Sequence, residues 1–122
     1  MSIHSQPPVT LLLVSYNQED TIGEAIAGAL EQDYPNLEIV VSDDASKDAT
    51  FERIEACFRD YTGPHRIKIL RNAENQGIGG NIDQAVRQST GELIFIAGGD
   101  DVSLPARVST MVSVWVGHEC KP

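Results

Sequence analysis

Apolar and polar positions alternate along this chain in a pattern that recurs four times. Residues 9–15 (VTLLLVS) form an unbroken apolar run, too short for a helix, and read as a strand buried on both faces. After a polar stretch at 16–20, Ile22, Ala25, Ile26, Ala29 and Leu30 recur at helical spacing. Thr21 and Glu24 match a capping box at the start of that helix, and Pro35 ends it. Residues 37–42 (LEIVVS) predict a second strand. Residues 43–50 (DDASKDAT) are rich in capping side chains, and the helix after them carries Phe51, Ile54, Phe58 and Tyr61. Residues 66–71 (RIKILR) predict a third strand, weaker in apolar content. Residues 72–80 read as a loop with three glycines, followed by a helix over 81–89 that presents Ile82, Ala85 and Val86. Residues 93–97 (LIFIA) predict a fourth strand and 98–101 (GGDD) a tight acidic turn. A last helix begins near Pro105, with Val108, Met111, Val112 and Trp115 on one face.

Strands alternating with amphipathic helices predict an α/β fold: a parallel sheet with helices on both faces, in three layers. The organisation is a proline-ended flexible tail at 1–8, one α/β domain over 9–116 and a short tail at 117–122. The length of 122 residues suits a single core, and 41% hydrophobic with 22% charged residues is ordinary for a globular chain. No run approaches the ~20 apolar residues of a membrane helix, and the first eight residues lack the apolar segment of a secretory signal. These features predict a cytoplasmic protein.

Charge narrows the function. Eighteen acidic against nine basic residues give a net charge of −9, with no basic stripe for tracking a nucleic-acid backbone. An anionic ligand on such a chain needs a metal or helix N-termini as mediator. Cys57 and Cys120 lie too far apart in sequence for a metal-ligand spacing and read as reduced thiols. His4, His65 and His118 form no pattern.

In an open parallel sheet, ligands bind beyond the carboxyl ends of the strands, at a switch in strand order. Three strands end there in polar loops: Ser15-Tyr16-Asn17, Asp43-Asp44-Ala45-Ser46 and Gly98-Gly99-Asp100-Asp101. Four carboxylates are thus expected on one crevice. Crowded carboxylates repel unless neutralised, and Mg²⁺ is held by one or two of them plus substrate phosphates. Asp100 and Asp101 read either as that metal site or as caps of the helix that follows. Asp43 and Asp44 read as caps, or as acceptors for a base or ribose. Tyr16 either stacks on a ring or covers the sheet edge. Gly77, Gly79 and Gly80 are no dinucleotide fingerprint, because they follow the third strand and not the first.

Taken together, these loops resemble the nucleotide-binding half of the family-2 glycosyltransferases, which have the GT-A fold. The carriers are Val14-Ser15-Tyr16-Asn17, Asp43-Asp44-Ala45-Ser46-Lys47-Asp48-Ala49-Thr50, Asn75-Gln76-Gly77, Gly91-Glu92-Leu93-Ile94, and Gly99-Asp100-Asp101 followed by Leu104-Pro105. The resemblance spans nearly the whole chain and implies a site for a nucleotide-diphosphate sugar, UDP-sugars favoured. It assigns Asp44 to the base, Ser15, Tyr16 and Asn17 to the base and ribose, and Asp100 toward the ribose. It assigns Asp101, with Asp100, to Mn²⁺ or Mg²⁺. Where many relatives carry Arg or Lys after the third strand, this chain has Gly79-Gly80-Asn81; Gly80 and Asn81 are the nucleotide-site candidates there.

The resemblance implies inverting transfer to an acceptor hydroxyl. The metal stabilises the leaving diphosphate and a carboxylate base takes the acceptor proton. In the family that base follows the acidic motif, and residues 102–122 offer only Glu119. No catalytic residue is therefore identified. The chain reads as the N-terminal, donor-binding part of a larger enzyme, inactive alone and able to work beside the inner membrane face. Two alternatives are weighed. A nucleotidyltransferase needs a glycine- and arginine-rich loop after the first strand, where this chain has Tyr16-Asn17-Gln18-Glu19-Asp20. A non-catalytic remnant would assemble with partners, a homodimer among them, through exposed apolar surface.

Overall fold

The computed structural model describes residues 6–119. Strand β1 (Val9–Ser15) and strand β2 (Leu37–Asp43) are the centre of the sheet and are buried along almost their whole length. Their continuous apolar runs are what burial on both faces demands. Strands β3 (Arg66–Arg71) and β4 (Leu93–Gly98) flank them, so the order is β3-β2-β1-β4, all parallel. Helices α1 (Ile22–Leu30), α2 (Thr50–Phe58), α3 (Gly77–Arg87) and α4 (Arg107–Glu119) supply the crossovers and the closing element.

The helices divide unequally between the faces. Ile22, Ile26 and Ala29 of α1, Ile54 of α2, and Val108 and Val112 of α4 pack on Leu11, Leu13, Ile39 and Val41. Ala85 and Val86 of α3 alone cover Leu12 and Val40 on the other face. Each fully buried Val, Leu or Ile among them contributes roughly 1.5–3 kcal/mol, and the alanines less. The expected α/β architecture with helices on both faces is therefore present.

Element boundaries differ from the sequence pattern in three places. The capping box at Thr21 does not form: Thr21 makes no side-chain cap bond, and its hydroxyl turns back to the Gln18 carbonyl (3.4 Å). Helix α3 begins at Gly77, four residues earlier than expected, so the three glycines lie in its opening turns. Tertiary anchors outweigh glycine's poor propensity there: Gln76 N donates to the Asp44 carboxylate (2.7 Å) and Gly77 N to the Asn75 side chain (3.1 Å). Helix α4 begins at Arg107, two residues beyond Pro105. Within its expected face Val108 and Val112 are buried, but Met111 is 39% exposed.

The last residues of the sequence-defined tail are anchored. The Pro7 carbonyl accepts from Tyr34 Oη (2.5 Å) and the Pro8 carbonyl from Glu92 N (2.7 Å). The tail residues 1–5 and 120–122, His4 and Cys120 lie outside the described residues. Cys57 is a free, half-buried thiol whose pKa burial pushes up.

At the amino ends of the strands, buried Glu38 ties β2 to β1 and to the α3–β4 turn. Its carboxylate accepts from Thr10 Oγ1 (2.8 Å) and Thr90 N (3.0 Å), with Lys68 Nζ at 3.9 Å. Thr10 Oγ1 in turn accepts from Gly91 N (3.0 Å). Burial alone raises the Glu38 pKa, but these donors and the Lys68 charge outweigh it and hold it below its ordinary value. A depressed folded pKa stabilises the fold above the unfolded value of 4.5, and that stability is lost as pH falls through the folded value. Glu38→Gln should therefore lower unfolding free energy by about 1 kcal/mol at pH 7. In urea melts, the gap to the parent should close as the solution is acidified below pH 4.5.

Candidate functional site

Parallel register brings the strand ends level. Ser15 pairs with Asp43, Asp43 with Arg71, and Val14 with both Ser42 and Gly98. Chain order reverses between β1 and β4, which lie side by side although two strands, β2 and β3, separate them in sequence. A cavity of about 390 Å³ opens at that point, lined by Val14, Ser15, Tyr16, Gln18, Asp44, Ile78, Asn81, Gly98 and Asp100. Position at the switch point is the expected one for an open α/β sheet.

The four carboxylates expected on one crevice take separate roles. Asp43 is fully buried and turns inward: its carboxylate accepts from Ser15 Oγ (2.9 Å), Ser46 Oγ (2.6 Å) and Ser46 N (2.9 Å). Asp44 lines the cavity. Its Oδ1 accepts from Asn72 Nδ2 (2.8 Å) and Gln76 N (2.7 Å), and among the described residues no donor reaches Oδ2. Asp100 is exposed and lines the same cavity. Asp101 instead receives a hydrogen bond and ion pair from Arg107 (3.1 Å), which is also bonded to Ser103 (2.8 Å).

The remaining sequence candidates divide as well. Ser15, Tyr16 and Asn81 line the cavity. Asn81 is buried as a bracket between α3 and the sheet, accepting from Ser42 Oγ (2.6 Å) and Asn72 Nδ2 (3.1 Å) and donating to the Ser42 carbonyl (3.1 Å). Gly80 lies off the cavity, where an added Cβ would meet Gln76 Cβ at 2.9 Å. Asn17 also lies off it, in a neighbouring hollow with Glu19, Asp20, Asp48 and Asp100. Its role there is to clasp two loops: Asn17 N donates to Ser46 Oγ (2.9 Å), and Asn17 Oδ1 accepts from Lys47 N (2.8 Å).

Both ends of that clasp are conformationally costly. Asn17 (φ 51°) and Ala45 (φ 59°) occupy the left-handed region, about 1 kcal/mol uphill for a non-glycine residue. The bonds to Ser46 and Asp43 compensate and fix the loop shape. Gly99 lies close against the β1 loop: a Cβ there would displace the end of the flexible Gln18 side chain.

Sequence reasoning missed Gln18, Asn72 and Ile78. Gln18 follows Tyr16-Asn17 directly, so its loop was visible but its reach to Gly99 was not. Asn72 sits just past β3, and only the fold brings it to Asp44 and Asn81. Ile78 continues the helical stripe of Ile82, Ala85 and Val86 yet stands 78% exposed at the cavity.

The profile of the family described as "Glycosyl transferase family 2" matches residues 10–120. The chain belongs to that family. Among relatives of this family-2 chain, the putative glycosyltransferase EpsE of Bacillus subtilis is 32% identical over 116 residues, which are 95% of this chain and 41% of EpsE. The UDP-Glc:alpha-D-GlcNAc-diphosphoundecaprenol beta-1,3-glucosyltransferase WfgD of Escherichia coli is 34% identical over 107 residues, 87% of this chain and 40% of WfgD. The mannosyltransferase PcManGT of Pyrobaculum calidifontis, solved in complex with GDP-Man and Mn²⁺, superimposes with a TM-score of 0.81 at 30% identity, covering 96% of this chain and 33% of that one. TarS 1-349 of S. aureus with UDP-GlcNAc gives 0.80 at 25% identity, covering 92% and 32%. The fold is therefore that of the GT-A glycosyltransferases. The chain spans about a third to two-fifths of the length of these proteins.

The clasp has a measurable energetic consequence. Asp43→Ala strands two hydroxyls and one N–H in a buried site and should cost about 3 kcal/mol in urea unfolding. Ser15→Ala removes a single bond from the same carboxylate and should cost about 1 kcal/mol.

Proposed function

We propose that this chain forms the donor-binding part of an inverting, metal-dependent glycosyltransferase and takes a nucleotide-diphosphate sugar at the switch-point cavity. The observation that carries the reading is the pairing of Asp44 and Asp100 across one cavity at the ends of β2 and β4. Solved complexes of similar proteins, one with GDP-Man and Mn²⁺ and one with UDP-GlcNAc, support it. Asp44 offers a base or ribose donor the carboxylate oxygen that has no partner among the described residues, and its other oxygen is held by Asn72 and Gln76. Ser15 and Tyr16 border the ring, with Asn81 as a rigid wall.

Asp100, on the cavity, suits a divalent ion, and Asp101 beside it is the proposed second carboxylate through the oxygen that Arg107 does not hold. They are adjacent carboxylates, and among the described residues no group of three or more His, Cys, Asp or Glu side chains is placed to hold a metal alone. A site with two protein carboxylates that completes its shell from a diphosphate and water is the ordinary habit of Mg²⁺. Mn²⁺ or Mg²⁺ bound there would offset the diphosphate charge that this acidic surface otherwise repels. Arg107 meanwhile orients Asp101. The acceptor-proton base is not among the assigned residues, so we propose that the chain alone does not complete transfer. No helix among the described residues is long and apolar enough to cross a membrane. We place the activity at the cytoplasmic side, peripheral to the membrane, a reading supported by the diphosphoundecaprenol named for WfgD.

A second reading, a module that assembles with its own copy, is supported by apolar exposure. Ile96 on the edge strand β4, and Val102, Leu104 and Val114 before and within α4, are 44–74% exposed. Light scattering at rising concentration reads it out directly, as a mass of twice the monomer.

Calorimetry with UDP and with GDP, with and without Mn²⁺, tests the first reading. Binding should tighten at least about tenfold with the metal, and Asp101→Ala should remove that gain. Heats that ignore Mn²⁺, or an Asp101→Ala variant that keeps the full metal effect, would sink the proposal.

A further inference from the structure

Ile78 is the most exposed large apolar residue among those described, at 78%, and it borders the cavity. It sits in the first turn of α3 between Gly77, Gly79 and Gly80. Gly77 has φ +79°, and a Cβ built at Gly77 or Gly79 would have nothing within 4 Å. The turn is therefore open, and Ile78 carries its one large side chain. Its position follows from helix length. Ile78, Ile82, Ala85 and Val86 share one apolar stripe. Ala85 and Val86 pack on the sheet, whereas the stripe's first residue overhangs the strand ends.

Across the same cavity stands Tyr16, 39% exposed, at the end of β1. The lining carries two carboxylates, Asp44 and Asp100, and no cationic side chain. Phosphate is repelled by such a lining, while a flat, neutral ring with N–H groups on its edge suits it. Apolar side chains reach it from two different elements and Asp44 supplies an acceptor. We propose that Ile78 is an apolar binding contact for the nucleobase, gripping the ring together with Tyr16 and leaving the phosphates to the Asp100-Asp101 end. This rests on the nucleotide-sugar reading given above. The glycines around Ile78 let the turn adjust to the ring, and the bonds from Gln76 N to Asp44 and from Gly77 N to Asn75 keep it attached.

Binding of UDP, GDP and inorganic pyrophosphate, each with Mn²⁺, tests this by calorimetry on the 122-residue chain. Ile78→Ala should weaken UDP or GDP binding about five- to tenfold, the loss of one apolar face from a ring, and leave pyrophosphate unchanged. Ile78→Leu should stay within about twofold of the parent, and Ile78→Thr, β-branched but shorter and polar, should behave like the alanine variant. Thermal melts of all three should match the parent, because the side chain is exposed. Parent-like nucleotide binding by Ile78→Ala overturns the inference and leaves the nucleotide reading intact. An equal loss for pyrophosphate and nucleotides also overturns it. A parent chain that binds neither UDP nor GDP overturns both.

Discussion

A buried carboxylate with no cation beside it must be satisfied by donors, and the architecture of the site depends on how Asp43 achieves this. It lies at the last position of β2 and gathers the hydroxyls of Ser15 and Ser46 and the Ser46 amide. Those bonds fix the end of β1 and the loop leading into α2 at once. Ser46 Oγ then accepts from Asn17 N, so the β1 loop is tied to the same point. Asp44, one residue on, is thereby aimed the other way, toward the cavity. Neighbouring aspartates thus divide the work: one is spent on the loop and the other is free to meet a ligand.

A second polar net supports the opposite wall. Asn72 joins Asp44 to Asn81, and Asn81 reaches both the hydroxyl and the carbonyl of Ser42. Side-chain amides suit this place because each can donate and accept, closing a net that crosses three elements without introducing charge. The net holds the start of α3 over the strand ends despite its glycines. The glycine-flanked first turn of α3, which carries Ile78, forms the rim above that net.

The acidic balance of the chain acquires a location from these contacts. Glu38 is consumed at the amino ends of the strands, Asp43 in the loop clasp, and Asp48 as acceptor for Thr50 N at the start of α2 (2.9 Å). Asp44 and Asp100 remain on the cavity, and Asp101 beside them is oriented by Arg107. A surface of that kind would repel a bare diphosphate, which is why the proposed donor site calls for a cation; the similar mannosyltransferase PcManGT is solved with GDP-Man and Mn²⁺.

Much of this was legible in the sequence. Strand and helix alternation follows from apolar periodicity, because β1 and β2 are apolar enough to be buried on both faces and α1 and α2 repeat at helical spacing. Parallel order then places the loops after β1, β2 and β4 on one edge, which is why Ser15, Tyr16, Asp44 and Asp100 could be named together. The start of α3 was not legible, since three glycines argue locally for a loop and only the distant Asp44 overrules them. The separate fates of Asp43 and Asp44, and of Asp100 and Asp101, were equally hidden. Adjacent residues on a chain point in different directions once the backbone turns, and which one faces the ligand depends on hydrogen-bond partners far away in sequence. Composition and periodicity thus determined the fold and the edge on which the site lies. Only the tertiary structure decided which side chains face the cavity, because that choice belongs to contacts between residues about thirty positions apart.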